Sequence, residues 1–180
     1  AEKLRPFIGP PLLDSFQEFC GMTQEESVRA AELFRERYAP IGKFENAAAP
    51  GMPELCARLK KRGYVLALAS SKPQEMCEPI CERFGYAPSL QVITGSPPEG
   101  DWEKADVIRE ACRRLGLTKA DLPAVLMVGD RADDLNGGAA NGLDAAGVLY
   151  GYGSREELAA CKPVLLAETC GQLTRYILDT

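Results

Sequence analysis

The sequence predicts an α/β protein in two parts, a small helical unit followed by a parallel sheet covered by helices, and three observations carry that reading. Residues 10 to 38 repeat their apolar side chains at helical spacing, with no strand pattern among them. From residue 52 onward, short apolar runs alternate with amphipathic stretches, as strands buried on both faces do when crossover helices join them. Between the two, "GKFENAAAPGMP" at 42 to 53 gathers glycine, proline and small residues into a hinge. The expected division is therefore a helical domain over 1–46 and an α/β domain over 47–180.

In the first part, Leu13, Phe16 and Phe19 mark the inward stripe of one helix, and Val28, Ala31, Phe34 and Tyr38 that of a second. Thr23 followed by Glu26 reads as a capping box that opens the second helix, and Gly21 suits the end of the first. In the second part, strands are expected near 64–69 ("YVLALA"), 90–93, 124–128 ("AVLMV"), 144–148 and 163–166. Helices fill the intervals near 52–62, 74–84, 103–115, 133–141, 154–160 and 169–178.

Composition narrows the chemistry. The 180 residues contain no histidine, which removes serine–histidine hydrolysis, histidine-ligated zinc and imidazole proton transfer together. Catalysis must rest on carboxylates, hydroxyls, lysine or a metal. A net charge of -5 without a basic run argues against a nucleic-acid surface. The longest strongly apolar run, 64–69, falls far short of the roughly 18 residues of a membrane span. The start "AEKLRPFIGPP" has no secretory pattern and no initiating methionine, so a cytoplasmic location and an upstream segment that has been removed are both expected. The seven cysteines are an odd number, and Cys56, Cys77, Cys81 and Cys112 fall at inward helical positions, as buried thiols of a reducing compartment do. Cys77 and Cys81 alone make no metal site, since a second half-site is missing.

In parallel sheets ligands bind beyond the carboxyl ends of the strands, so the residues at those ends are the candidates for chemistry. The run 64–69 leads into Ser70, Ser71 and Lys72, either turn and cap residues or hydroxyls able to hold a phosphate. Strand 90–93 is followed by a glycine- and proline-rich loop that delivers Lys104 to a helix start, where a lone lysine is ordinarily a solvated charge. Strand 124–128 runs into Gly129, Asp130, Arg131, Ala132, Asp133 and Asp134, three carboxylates that repel one another. One aspartate is explained by helix capping, and an oxygen-liganded magnesium ion would relieve the rest.

A serine after the first strand, a lysine some thirty residues on and "GDRADD" after the next long strand resemble the second, third and fourth motifs of the haloacid dehalogenase-like (HAD) phosphatases. The match is closest to their phosphoglycolate phosphatase-like branch. "IGPPLLDSF" at 8–16 resembles its cap entry, "FENAAAPGMPELCARLKKRGYVLALASSKP" its hinge and second motif, and "MVGDRADDLNGGAANGLDAAGVLYGYGSREEL" its fourth motif and beyond. The resemblance implies a Rossmann-like core with a helical cap and magnesium-dependent hydrolysis of a small phosphate monoester through an aspartyl-phosphate. By position it implies Ser70 as a catalytic residue that donates a hydrogen bond to a phosphoryl oxygen, Ser71 as substrate-binding beside it, Lys104 as the catalytic and substrate-binding lysine that neutralises charge, and Asp130 and Asp134 as the magnesium site. Asp133 has no implied role beyond an exposed turn.

One departure is large. The family's D-x-D-x-T segment, which supplies nucleophile and acid and forms the central strand, occurs nowhere in the 180 residues. The strands ending at Ser70 and Gly129 are therefore expected to flank an empty strand position, and the chain as given is expected to be inactive. Two alternatives stand beside the phosphatase: a non-catalytic HAD-like protein that binds an anion or a partner, and a phosphomutase. The specific ester and the oligomeric state have no legible signature.

Overall fold

The computed structural model describes residues 7, 12–97 and 102–179. The chain divides into two compact units, Ala1–Ala47 and Ala48–Thr180. Part of the cap-entry stretch at 8–16 and part of the loop before Lys104 lie outside the described residues.

The first unit contains α1 (Leu12–Cys20) and α2 (Gln24–Tyr38). Gly21, at φ +67°, turns the chain between them. The expected capping box is present: Thr23 Oγ1 accepts from the Glu26 amide at 3.3 Å and Glu26 accepts from the Thr23 amide at 2.8 Å. The inward stripe differs from expectation. Ser15, Ser27 and Ala31 are buried, whereas Phe19, Val28 and Phe34 are each 41% exposed. Two helices bury only the narrow stripe along which they meet, and these small side chains occupy the buried positions. The larger side chains cluster outside it, with the Phe7 ring edge-on to Phe16 and Phe19, and Phe34 stacked on Tyr38.

The second unit runs α3 (Met52–Lys61), β1 (Ala67–Pro73), α4 (Gln74–Arg83), β2 (Val92–Ser96), α5 (Lys104–Arg114), β3 (Leu126–Gly129), α6 (Ala132–Ala140), β4 (Asp144–Val148), α7 (Arg155–Ala160), β5 (Leu165–Ala167) and α8 (Cys170–Asp179). All pairings are parallel, as short apolar strands separated by helices require. The strands form two sheets, β1-β2 and β3-β4-β5, and β1 is not hydrogen-bonded to β3.

The three-stranded sheet is covered on both faces because residues alternate along β4. Ala146 and Val148 face Leu55, Leu59 and Leu173 from α3 and α8. Ala145 faces Leu135 of α6 and Leu158 of α7. β1 departs from the run 64–69: the strand begins at Ala67 and continues through the serines to Pro73, with an irregular register between Ala69 and Pro73. Pairing with β2, rather than apolar content, sets these limits. Tyr64 and Val65 remain 45% and 58% exposed. β5 is likewise shifted, to Leu165–Ala167, where it pairs with Ala146–Val148 of β4. The two sheets still share a core, since Leu66, just before β1, packs in one cluster with Leu126 and Val128 of β3.

All seven cysteines are free thiols. Cys77 and Cys81 are buried as expected, while Cys56 and Cys112 are only half-buried. No helix among the described residues is long and apolar enough to cross a membrane.

Candidate functional site

The carboxylate cluster sits where β3 turns into α6. Asp134 lies one turn into α6 and folds back over the strand end: its Oδ2 accepts from the amides of Asp130 at 3.0 Å and Arg131 at 3.1 Å. Backbone donors that a helix start leaves unpaired are thereby satisfied. The other oxygen, Oδ1, pairs with Lys104 Nζ at 2.8 Å, with the side chains only 11% and 16% exposed. Both oxygens of Asp134 are thus engaged.

Lys104 opens α5, and its ammonium also donates to the Ala69 carbonyl of β1 at 3.3 Å. One lysine therefore touches Ala69, the residue before Ser70, and Asp134 of α6. The approach needs a gap in the facing helix. A Cβ at Gly137 of α6 would stand 3.0 Å from Lys104 Cγ and 3.2 Å from the Ala105 nitrogen, so glycine lets the helices meet. Asn141 fixes the contact by donating to the carbonyls of Ala105 at 2.9 Å and Gly137 at 2.8 Å.

Ser70 is half-buried, and its Oγ accepts from the Lys72 amide at 3.2 Å. Ser71 is exposed, and its carbonyl accepts from Ser96 Oγ at 3.3 Å. Beneath them lies Cys77, whose thiol is pushed up chiefly by burial, against the opposing pull of Lys72 and a hydrogen bond with Ser70.

Asp130 differs from Asp134. Its Oδ2 accepts from the Tyr152 amide at 2.8 Å, its carbonyl accepts from the Gly153 amide at 2.9 Å, and Oδ1 has no hydrogen-bond partner among the described residues. Asp133 is exposed. Among the described residues no group of three or more acidic or thiol side chains is gathered as a ready-made metal cage. The donor set fits a magnesium ion in a limited way. Such an ion is commonly held by one or two carboxylates, with waters and phosphate oxygens completing its shell, and Asp130 Oδ1 is the one acidic oxygen of the Asp130–Asp134 pair left open for it.

Further residues complete this corner without a local signal in the sequence. Glu157 accepts from Arg131 Nε and from the Ala132 amide, both at 2.8 Å, and so caps α6 from α7. Burial raises its pKa, but the hydrogen bonds from Arg131 and Ala132 outweigh that and hold the carboxyl below its ordinary value. Neither Glu157 nor the Gly151–Gly153 turn could be found by local reading, since both act on residues more than twenty positions away.

Comparison with known proteins gives concordant results. The family described as haloacid dehalogenase-like hydrolase matches residues 1–148. A 5′-nucleotidase from Pseudomonas aeruginosa is 37% identical over 162 residues, covering 89% of this chain and 72% of that protein. The tyrosine-protein kinase PtkA of Mycobacterium tuberculosis is 34% identical over 81% of this chain and 49% of its own length. A phosphoglycolate phosphatase from Vibrio parahaemolyticus is 25% identical over 94% of this chain and 74% of its own. Among solved structures, a predicted phosphatase from Clostridium acetobutylicum superposes with a TM-score of 0.90 at 34% identity, covering 99% of this chain and 82% of that one.

Proposed function

Since the chain belongs to the haloacid dehalogenase-like hydrolase family, we propose that it carries most of the site of a magnesium-dependent phosphatase acting on a small phosphate monoester of the phosphoglycolate kind. One observation carries the reading: Lys104 joins the carbonyl before Ser70 to Asp134, gathering residues from three elements at the carboxyl ends of two unjoined sheets.

In this reading Ser70, with Ser71 beside it, donates to phosphoryl oxygens, and Lys104 lays its charge against phosphate and nucleophile. Asp134 acts through Lys104 and the loop amides, and Asp130 offers Oδ1 to the cation. Magnesium, when bound, supplies charge neutralisation at the phosphoryl group. The nucleophilic carboxylate and the acid for the leaving alcohol would come from a D-x-D-x-T strand outside these 180 residues, lying between β1 and β3.

The test is phosphate release. The 180-residue chain alone should release none from phosphoglycolate or a nucleoside monophosphate. The same chain preceded by a D-x-D-x-T strand should release inorganic phosphate, dependent on magnesium and abolished by a chelator. A joined protein that binds magnesium yet transfers no phosphoryl group would support a non-catalytic role instead, and transfer to a sugar in place of water would support a phosphomutase.

A further inference from the structure

The Gly151–Tyr152–Gly153 turn lies about twenty residues beyond Asp130 in sequence, yet it closes on that one residue. The Tyr152 amide takes Oδ2 and the Gly153 amide takes the carbonyl, at 2.8 and 2.9 Å. The glycines are required by space: a Cβ on Gly151 would stand 2.2 Å from Asp130 Cβ and 2.3 Å from Oδ2, and one on Gly153 would stand 2.2 Å from the Asp130 carbonyl oxygen. None of these separations is tolerable for a real side chain. The Tyr152 side chain is 50% exposed, so the residue's hold on Asp130 is exerted by its main chain.

We infer that this turn is a positioning clamp for Asp130, a role that rests on the reading of Asp130 as the magnesium ligand. A carboxylate free to rotate offers either oxygen in many directions and loses that freedom when it binds a cation. With Oδ2 fixed by a main-chain donor and the backbone carbonyl fixed by a second, the Asp130 side chain is held in one orientation with Oδ1 as its open atom. The order is built in before any ligand arrives, which is how a preorganised site avoids paying for alignment on binding. Residues 151 and 153 must be glycine, while position 152 needs only an N–H.

The experiment is Mn2+ titration of the 180-residue chain, followed by paramagnetic broadening of its amide resonances. Broadening should centre on Ala132, Tyr152 and Gly153 and disappear in Asp130→Asn. Tyr152→Pro, which removes the donor, should bind Mn2+ at least about ten-fold more weakly than Tyr152→Ala, which keeps it, and Gly151→Ala should be weakened similarly. Unchanged resonances from Val92 to Ser96 would show that each variant is folded. A second measurement needs no change in the turn: hydrogen exchange at the Tyr152 amide should speed at least about ten-fold in Asp130→Ala, because its acceptor is gone. Broadening that survives Asp130→Asn, or none in the unsubstituted chain at millimolar Mn2+, would overturn the magnesium reading and the clamp with it. Broadening lost in Asp130→Asn but equal in Tyr152→Pro and Tyr152→Ala, or Tyr152 exchange indifferent to Asp130, would overturn the clamp and leave the magnesium reading standing.

Discussion

The two sheets of the α/β unit end in loops of different order. In the three-stranded sheet, β3 and β4 pair in unbroken register over four residues, four of the five residues of β4 are buried, and the loop after β3 is tied by the Asp134 carboxylate of its own helix, by amides of the 151–153 turn and by Glu157. In the two-stranded sheet, β1 has an irregular register and exposed residues, and Ser70 Oγ holds a single local amide at 3.2 Å. β3, like β1, has a strand neighbour on one side only, so the difference lies in the loops themselves: the one after β3 is held from α6, α7 and the 151–153 turn, whereas Ser70 is held by a local bond. The loop that carries Asp130 and Asp134 is therefore ordered by its surroundings, and the loop that carries Ser70 is less so.

The largest expected effect tests whether the ordered half carries the chemistry. In a protein completed with a D-x-D-x-T strand, Asp130→Ala should cut phosphate release by at least about a hundred-fold, since a lost metal ligand removes several kcal/mol of charge stabilisation. A loss below ten-fold in a steady-state assay would place the decisive charge elsewhere. Next is the bond that joins the halves. Lys104→Met leaves the carboxylate of Asp134 buried without its cation, and breaking such a pair costs about 3 kcal/mol. Urea unfolding of the variant should show that loss, and a change below about 1 kcal/mol would mean that the lysine does not brace the two sheets.

A smaller effect contrasts the strands directly. Ala146, fully buried in β4, should tolerate leucine badly, at about 1–3 kcal/mol, while Ala67→Leu at the exposed start of β1 should stay within about 0.5 kcal/mol. Equal losses would deny that the sheets differ in order. The smallest effect at neutral pH belongs to Cys81 in α4, beside the two-stranded sheet. Burial, with lesser repulsion from Cys77, Cys56 and Glu78, pushes its thiol up from 9.0 to about 11. A raised pKa favours the protonated fold, so this stability is complete below pH 9 and is lost as pH rises through about 11. The thermal midpoint should fall over that window, and Cys81→Ala should flatten the fall.

What the sequence made legible follows from the range over which each signal acts. The capping box at Thr23 and Glu26 was readable because donor and acceptor lie three residues apart, and β3 and β4 were readable because burial on both faces leaves an unbroken apolar run. Ser70, Lys104, Asp130 and Asp134 were singled out by their places after strands and by family resemblance, while their actual bonds were not. Asp134 was expected as part of the magnesium site, and no spacing announced that its oxygens meet Lys104 and two amides, an arrangement that depends on α5 lying against α6 through Gly137. The limits of β1 were misplaced for a similar reason. Tyr64, Val65 and Leu66 have strand-like side chains, but pairing with β2 defines the strand, and that partner lies some twenty-five residues downstream. The stripe of α2 failed in the opposite direction, since periodicity marks an apolar face without saying whether anything covers it, and Val28 and Phe34 remain exposed.

The break between β1 and β3 also bears on how this chain behaves as a material. A strand lacking a neighbour on one side presents a row of unpaired amides and carbonyls, the surface that most readily recruits another polypeptide. Here β1 and β3 each have one, and Tyr64 and Val65 add exposed apolar area just ahead of β1. A net charge of -5 gives the molecules modest mutual repulsion, which salt screens within about 10 Å at 0.1 M. Concentrated solutions of the 180 residues should accordingly cloud sooner in high salt than in low, and a short strand-forming peptide that occupies the break should keep them clear.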